Sequence, residues 1–207
     1  MYCIISLPRT ASTFTWHQIH AGLMLEHPEY FNQTSHSIFN PRYNTPEEIE
    51  GKYQQIISTT PLPLIKIISN HNWIMVENIL KTTYKTVFIK PKDVRRYVLK
   101  NIVAKQTDSY AIKKARDPYV GTLVVSEQEI HDRLKFYERH MEFESECDYS
   151  FYDLDILDNP IMVNEALGLP VVKSKYRYTP STYSDEEMLQ DVNQFNQLFE
   201  SVYERQR

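Results

Sequence analysis

Short apolar runs alternate with amphipathic segments along this chain. Tyr2–Leu7, Leu62–Ile68 and Thr86–Ile89 are apolar over the length of a buried strand. Apolar residues at helical spacing occur in four other segments: Trp16, Ile19 and Leu23; Val94, Val98 and Ile102; Ile130, Leu134, Tyr137 and Met141; Met188, Val192, Phe195, Phe199 and Val202. We therefore predict a three-layer α/β fold, with a mainly parallel central sheet flanked by helices.

Capping residues indicate where two of the helices begin. Thr45 and Pro46 provide an N-cap and a proline at the first helical position, which predicts a helix from that point. Ser184 and Glu187 have the spacing of a capping box, which predicts that the last helix begins there. A helix-length segment from Trp73 to Lys81 separates the second and third apolar runs.

Composition places the chain among ordinary globular proteins, with 42% hydrophobic and 24% charged residues. We expect one domain spanning residues 1–207, because no repeat, low-complexity tract or linker interrupts it. The net charge of −4 gives no general attraction to nucleic acid, and no apolar run approaches the roughly 20 residues that span a bilayer. Cys3 and Cys147 are the only cysteines, and no Cys/His spacing suggests zinc. We expect a cytoplasmic, metal-free protein.

Positive charge is concentrated in one segment. Residues 81–116 contain eleven Lys and Arg residues against Asp93 and Asp108. Such a cluster is either a solvated face or a site for a compact anion such as a nucleotide phosphate. Because ligands of parallel sheets bind at the carboxyl ends of the strands, the loops after each predicted strand are where such a site would lie.

The loop after the first strand has the chemistry of an anion site. Pro8-Arg9-Thr10-Ala11-Ser12-Thr13-Phe14 leads directly into a predicted helix. Unsatisfied amides and the positive end of the helix dipole favour an anion there, and Arg9 adds positive charge. A plain N-cap is the alternative interpretation of the same residues. The loop lacks the lysine of a Walker motif.

This loop resembles the PRSGSTL-type loop of sulfotransferases that use 3′-phosphoadenosine-5′-phosphosulfate (PAPS). The chain is most similar to the bacterial carbohydrate sulfotransferases of the trehalose type. Four further segments carry the resemblance: Glu26–Phe31, similar to G-x-P-x-E-[FY]-F; Lys66 in LIKII, followed by Asn70; Lys90–Val94 through Ala104–Thr107; and Tyr152–Leu154 followed by Ala166–Pro170. The resemblance implies a P-loop-like fold and sulfuryl transfer from PAPS to a hydroxyl of a carbohydrate or small hydroxylated acceptor, leaving PAP.

The resemblance also implies roles for individual residues. Pro8–Phe14 would bind the 5′-phosphosulfate, with Arg9 and Lys66 stabilising charge during transfer. Glu29 would be the catalytic base. His71, in the loop after the second strand, is an alternative base because a neutral imidazole accepts protons near pH 7. Lys90, Lys92 and Lys100 would bind the 3′-phosphate: these three lysines occupy the segment that serves that purpose in the family.

Three positions depart from the family pattern. Pro91 stands where many members have an arginine, and Lys100 stands where they have a serine, so lysines would have to replace a bidentate guanidinium. Ala11 stands in place of the loop glycine, which predicts that the loop avoids positive φ at this position.

His17 and His20, on the helix after the loop, are candidates for approaching an acceptor or for packing.

Two other functions are compatible with the loop. One is a P-loop phosphotransferase that uses ATP and magnesium, although the GK[ST] triplet that holds them is missing. The other is a non-catalytic nucleotide-binding protein with the same fold. The sequence leaves the identity of the acceptor and the oligomeric state open.

Overall fold

The computed structural model describes residues 1–24, 51, 64–69, 73–107, 119–172, 174–175 and 183–206. They belong to two compact units. The sheet unit comprises Met1–Lys92 and His140–Tyr178, and the helical unit comprises Asp93–Arg139 and Thr179–Arg207. The helix predicted from Thr45, and the first two residues of the predicted second strand, lie outside the described residues.

A parallel sheet forms the centre of the sheet unit. Its strands are β1 (Tyr2–Ser6), β2 (Leu64–Ile68), β3 (Lys85–Lys90) and β4 (Tyr149–Tyr152), in the spatial order β2-β1-β3-β4. All three strand pairs are parallel. The first three strands match the apolar runs in the sequence, because helices on both faces of a parallel sheet bury its strands from both sides.

Helices cover both faces of this sheet. On one face, α1 (Ser12–Gly22) packs over Ile4 and Val87 together with two short helices, Asp153–Asp158 and Ile161–Leu167. On the opposite face, α2 (Trp73–Ile79) packs over Ile5 and Phe88. Alternate strand residues point to opposite faces, so each strand supplies both cores. The predicted α/β fold with a parallel sheet flanked by helices is confirmed.

The helical unit contains α3 (Val94–Gln106), most of α4 (Glu127–Met141) and the last helix. The Asp93 side chain accepts a hydrogen bond from the amide of Arg96 (2.9 Å), so it caps α3. Ser126 and Glu129 form a reciprocal capping box at the start of α4, in which the Ser126 amide donates to the Glu129 carboxylate (3.1 Å) and the Glu129 amide to the Ser126 hydroxyl (3.3 Å). The remaining helices are α5 (Asp153–Asp158), α6 (Ile161–Leu167) and α7 (Val192–Gln206).

The prediction that the last helix begins at the Ser184–Glu187 box is wrong. The two residues do form the box: the Ser184 amide donates to the Glu187 carboxylate (2.6 Å) and the Glu187 amide to the Ser184 hydroxyl (3.3 Å). They close a separate turn, and α7 begins only at Val192. Asp191 caps this helix by accepting from the Gln194 amide (2.9 Å). A capping box satisfies the amides of one turn and does not oblige the helix to continue.

Within the described ranges, no helix is both long enough and apolar enough to cross a membrane.

Candidate functional site

The order of the strands places the site at the carboxyl edge of the sheet. β1 lies between β2 and β3, with Ser6 paired with Ile68 on one side and Ile89 on the other. From β1 the chain therefore crosses first to β2, which is the neighbour of β1 on one side. It later crosses to β3, which is the neighbour of β1 on the other side. In such sheets ligands bind where the connections diverge, which here is between the loops that follow β1 and β3.

The backbone of the first loop is left-handed at two positions. Arg9 has φ 68° and Ala11 has φ 54°. The prediction that Ala11 avoids positive φ is wrong. Surrounding hydrogen bonds hold the loop in this shape: the Thr10 hydroxyl donates to the Leu7 carbonyl (2.6 Å), and the Ala11 carbonyl accepts from both the amide (2.9 Å) and the hydroxyl (3.1 Å) of Thr15.

These bonds separate the roles of the loop hydroxyls. The Thr10 hydroxyl proton is used inside the loop, so Thr10 braces the backbone and cannot donate to a ligand at the same time. Ser12 and Thr13 lie in the first turn of α1, where Ala11 occupies the N-cap position without a side-chain hydrogen bond. The positive end of the α1 dipole therefore faces the loop without a capping side chain from that position.

Lys66 extends from β2 to the start of α1. Its residue pairs with Ile4 on β1, its side chain is buried, and its ammonium donates to the Thr13 hydroxyl oxygen (3.3 Å). Burial lowers the pKa of Lys66 to about 8. Because the Thr13 oxygen accepts this bond, its own proton is free to be donated onward. A buried ammonium, a hydroxyl and a helix N-terminus thus converge at one corner.

Pro8, Arg9, Ala11 and Phe14 complete this corner. All four are half-buried. We refer to residues 8–14 together with Lys66 as the α1 corner. The structure describes all seven residues to which the resemblance assigns 5′-phosphosulfate binding, and it places the Lys66 ammonium against one of them, Thr13.

His17 lies one helical turn after Thr13. Its half-buried ring meets the Trp16 ring edge-on at 5.2 Å, and Trp16 stacks on His20 at 4.6 Å. Burial lowers the pKa of His17 to about 4, with smaller contributions from the nearby His20 and Lys66. The imidazole is therefore neutral at pH 7, next to the α1 corner.

Lys90 and Lys92, at the end of β3, are each paired with a carboxylate. The Lys90 ammonium forms an ion pair with Glu144 and lies 4.4 Å from the centre of the Tyr152 ring. Lys92 pairs with Asp155 (2.5 Å), and its amide donates to Asp153 (2.9 Å). Burial alone would raise the pKa of Glu144, but hydrogen bonds from Lys90 and Ser150 lower it overall.

This pairing changes what the two lysines offer to an anion. Each ammonium is paired with one carboxylate, Lys90 with Glu144 and Lys92 with Asp155, so the two pairs carry no positive excess. A phosphate at Lys90 and Lys92 would have to displace at least one carboxylate. Lys100 lies on α3 in the helical unit and is half-buried. The α1 corner offers a buried ammonium, a hydroxyl and a helix N-terminus to an anion, whereas Lys90 and Lys92 present no uncompensated charge.

A buried histidine that the sequence did not indicate lies beneath the same sheet edge. The two ring nitrogens of His140 contact the Ser69 hydroxyl (2.8 Å) and the Ile89 carbonyl (2.9 Å), and Ser69 also contacts the Ser6 carbonyl (3.2 Å). The ring stacks on Phe88 at 4.1 Å. His140 and Ser69 thus connect the carboxyl ends of β1, β2 and β3, from which the loops of the site begin.

Glu29, the base implied by the resemblance, and His71, the alternative, both lie outside the described residues, as does Asn70. Among the residues that the structure describes, no group of three His, Cys, Asp or Glu side chains is arranged to hold a metal ion.

Comparison with known proteins does not identify a family. No protein-family model matches the chain, and neither a curated protein nor a solved structure matches it.

Proposed function

We propose that this protein is a sulfotransferase that transfers a sulfuryl group from PAPS to a hydroxyl of a carbohydrate or small hydroxylated acceptor. The observation that carries this proposal is the contact between Lys66 and Thr13 at the N-terminus of α1. A buried ammonium with a pKa of about 8 remains largely charged at pH 7, and an anion beside it would stabilise it. The segment resemblance supports phosphosulfate as that anion.

The chemistry needs charge stabilisation more than covalent participation. In sulfuryl transfer the acceptor oxygen forms a bond to sulfur while the bond from sulfur to the bridging phosphate oxygen breaks. The electron pair leaves with the phosphate, and the acceptor proton goes to a base. We assign Lys66 and the first-turn amides of α1 to stabilising the leaving phosphate, and Arg9 to the sulfuryl oxygens. The Thr13 hydroxyl would donate to the same anion.

The base is assigned by resemblance alone. Glu29 would accept the proton of the acceptor hydroxyl, with His71 as the alternative. The 3′-phosphate of PAPS would bind near Lys90 and Lys92 only by exchanging places with Glu144 or Asp155. Lys100 would contribute as the third lysine of the segment.

Ligand-induced stabilisation tests this proposal. We would compare the melting temperature of the protein alone, with adenosine 3′,5′-bisphosphate, and with ATP and magnesium. A ligand at one hundred times its Kd stabilises the native state by about 2.7 kcal/mol, which corresponds to a shift of several degrees. We expect such a shift with the bisphosphate and a much smaller one with ATP.

A matched pair of variants locates the effect. Lys66→Met removes the buried ammonium, whereas Lys135→Met makes the same change at an exposed position on α4. The bisphosphate shift should disappear in Lys66→Met and persist in Lys135→Met. Equal shifts in melting temperature with the two nucleotides, or no shift with either, would refute the proposed sulfotransferase function. A larger shift with magnesium and ATP would favour the phosphotransferase.

A further inference from the structure

Two buried polar side chains bridge the strand ends on both sides of Ser6. Ser6, the last residue of β1, pairs with Ile68 on β2 and with Ile89 on β3. The hydroxyl of Ser69, which directly follows β2, donates to the Ser6 carbonyl (3.2 Å). His140 contacts the Ser69 hydroxyl through Nδ1 (2.8 Å) and the Ile89 carbonyl through Nε2 (2.9 Å). We call Ser69 and His140 the bridge, because they join the ends of β2, β1 and β3 next to the α1 corner.

The chemistry of the donors and acceptors explains why the bridge consists of a hydroxyl and an imidazole. The Ile89 carbonyl only accepts, so a hydrogen bond to it needs a proton on Nε2 of His140. In a neutral ring Nδ1 is then an acceptor, and the single Ser69 proton is shared between Nδ1 and the Ser6 carbonyl. The ring also stacks on Phe88 at 4.1 Å, which limits its rotation. Ser69 is therefore held between a fixed ring and the end of β1.

The bridge acts on the residues that lead into the strained loop. The Ser6 carbonyl is bonded from the sheet by Ser69. The next carbonyl, that of Leu7, is bonded from the loop by the Thr10 hydroxyl (2.6 Å). Two residues at positive φ follow within the α1 corner, and such backbone strain persists only where surrounding contacts over-determine the conformation. Loss of the bond from the sheet should therefore loosen the loop without removing any group from it.

We propose that Ser69, held in place by His140, is a positioning residue for the α1 corner, and that it keeps Thr13 and the first-turn amides of α1 in the arrangement that binds an anion. The inference rests on the proposed function, because it concerns the same corner. Both side chains of the bridge are fully buried, so they act through the loop and not by touching the ligand. A loop that has to be ordered by its ligand binds that ligand more weakly than a preorganised one.

Calorimetric binding of adenosine 3′,5′-bisphosphate to three variants tests this inference. Ser69→Ala removes the hydroxyl, and Ser69→Thr keeps it. Val76→Ala is the control: it creates a cavity in the core beneath α2 and leaves every polar group of the bridge in place. We expect Ser69→Ala to raise the Kd about tenfold and Ser69→Thr to stay within about threefold of the parent. Val76→Ala should leave the Kd unchanged, although urea unfolding should show that it loses at least as much stability as Ser69→Ala.

Amide hydrogen exchange measures the state of the loop without any ligand. The Thr15 amide donates to the Ala11 carbonyl (2.9 Å) across the start of α1. Under conditions in which local opening controls exchange, Ser69→Ala should exchange this amide about tenfold faster than the parent does. Val76→Ala should exchange it at the parent rate, because its cavity lies away from the loop.

A third variant tests the part played by His140. His140→Phe keeps a ring that can stack on Phe88 but removes both nitrogens, so Ser69 loses its contact with the ring. The variant should reproduce the effect of Ser69→Ala on the Kd, and the double variant should show little further change, because the two side chains act as one unit. Full additivity of the two effects would show that His140 does not act through Ser69.

The possible outcomes separate the inference from the proposed function. If the parent binds the bisphosphate and Ser69→Ala binds it equally well, or Val76→Ala weakens binding as much as Ser69→Ala does, the inference is overturned and the anion site stands. If the parent binds no bisphosphate, the proposed function fails, and exchange of the Thr15 amide decides whether Ser69 positions the loop. Faster exchange in Ser69→Ala but not in Val76→Ala supports that role, and equal rates in the two variants overturn it.

Discussion

Ala11 shows how a single residue is held in a conformation that its side chain disfavours. An L-residue in the left-handed region costs about 1 kcal/mol relative to glycine. The Thr10 and Thr15 hydrogen bonds over-determine the loop and outweigh that cost. Strain of this kind at a loop that precedes a helix is typical of functional sites.

Relieving this strain should stabilise the protein. We expect Ala11→Gly to raise the free energy of unfolding by up to about 1 kcal/mol, because glycine adopts positive φ without a Cβ clash. Urea denaturation measures the difference. Ala166→Gly, at an exposed position within α6, is the matched control and should lower the stability by about 1 kcal/mol. A loss of stability in both variants would contradict the account of Ala11.

The Lys90–Glu144 pair makes a second residue-scale prediction. Removing the Glu144 charge should release the Lys90 ammonium for a phosphate and remove repulsion, so Glu144→Gln should tighten adenosine 3′,5′-bisphosphate by about threefold to tenfold. Isothermal calorimetry measures the Kd. Glu146→Gln changes an exposed carboxylate in the same short helical turn and should have little effect. If Glu144→Gln weakens binding of the bisphosphate and Glu146→Gln does not, the intact Lys90–Glu144 pair is needed for that binding.

Helix α1 approaches α6 at a glycine. A Cβ built on Gly22 would lie 2.6 Å from the Asn164 side-chain nitrogen and 3.2 Å from the Leu169 Cβ. Asn164 is buried, and its side chain donates to the Pro170 carbonyl (3.1 Å), so it cannot move away without losing that bond. The position of α1, and therefore of the α1 corner, depends on this close contact.

Gly22→Ala should therefore destabilise the protein by about 1–3 kcal/mol through overpacking. Thermal or urea unfolding measures this change. Gly51→Ala is the control, because no atom lies within 4 Å of a Cβ at that position, and it should not reduce stability. If both variants are as stable as the parent, α1 and α6 have room to separate, and the contact does not fix the helix.

The elements differ in how well the sequence predicts them, for physical reasons. β1, β2 and β3 are central or buried strands whose continuous apolar runs identify them. β4, with the sequence YSFY, buries only Phe151, so its apolar pattern is weak. The sequence places the start of α7 too early because two capping arrangements, at Ser184 and at Asp191, lie seven residues apart. The local sequence does not indicate which of them begins the helix.

The site was predictable only in part. The loop after β1 carries a local sequence pattern, and the parallel sheet explains why Lys66 lies near it. The His140–Ser69 contact joins residues 71 positions apart, and the Lys90–Glu144 pair joins residues 54 apart. Neither has a local signal, because each depends on where the end of α4 and the following turn meet the sheet. The left-handed Ala11 is likewise imposed by its surroundings.

At the scale of the whole molecule, burial of a neutral histidine links stability to pH. Burial lowers the pKa of His140 to about 4, opposed in part by the Ile89 carbonyl and Glu144. The unfolded chain, with a histidine pKa of about 6.5, therefore binds more protons than the native state between pH 6.5 and 4. Stability is retained above pH 6.5 and is lost as the pH falls toward 4.

His140 alone should account for a loss of up to about 3 kcal/mol between pH 7 and pH 4. Urea unfolding at a series of pH values measures the slope. His140→Gln removes the titrating ring but keeps a donor for Ile89, so the variant should be less stable at pH 7 and should lose less stability on acidification. An identical pH slope in the two proteins would show that His140 does not titrate on unfolding.

The proposed binding of the nucleotide at the α1 corner would be visible residue by residue. Backbone amide chemical shifts would be recorded by NMR during a titration with adenosine 3′,5′-bisphosphate. The largest changes are expected at Arg9–Phe14, where the first-turn amides of α1 would contact the 5′-phosphate, with little change along α2. Saturating changes centred on another part of the chain, or no changes at any nucleotide concentration, would contradict an anion site at this corner.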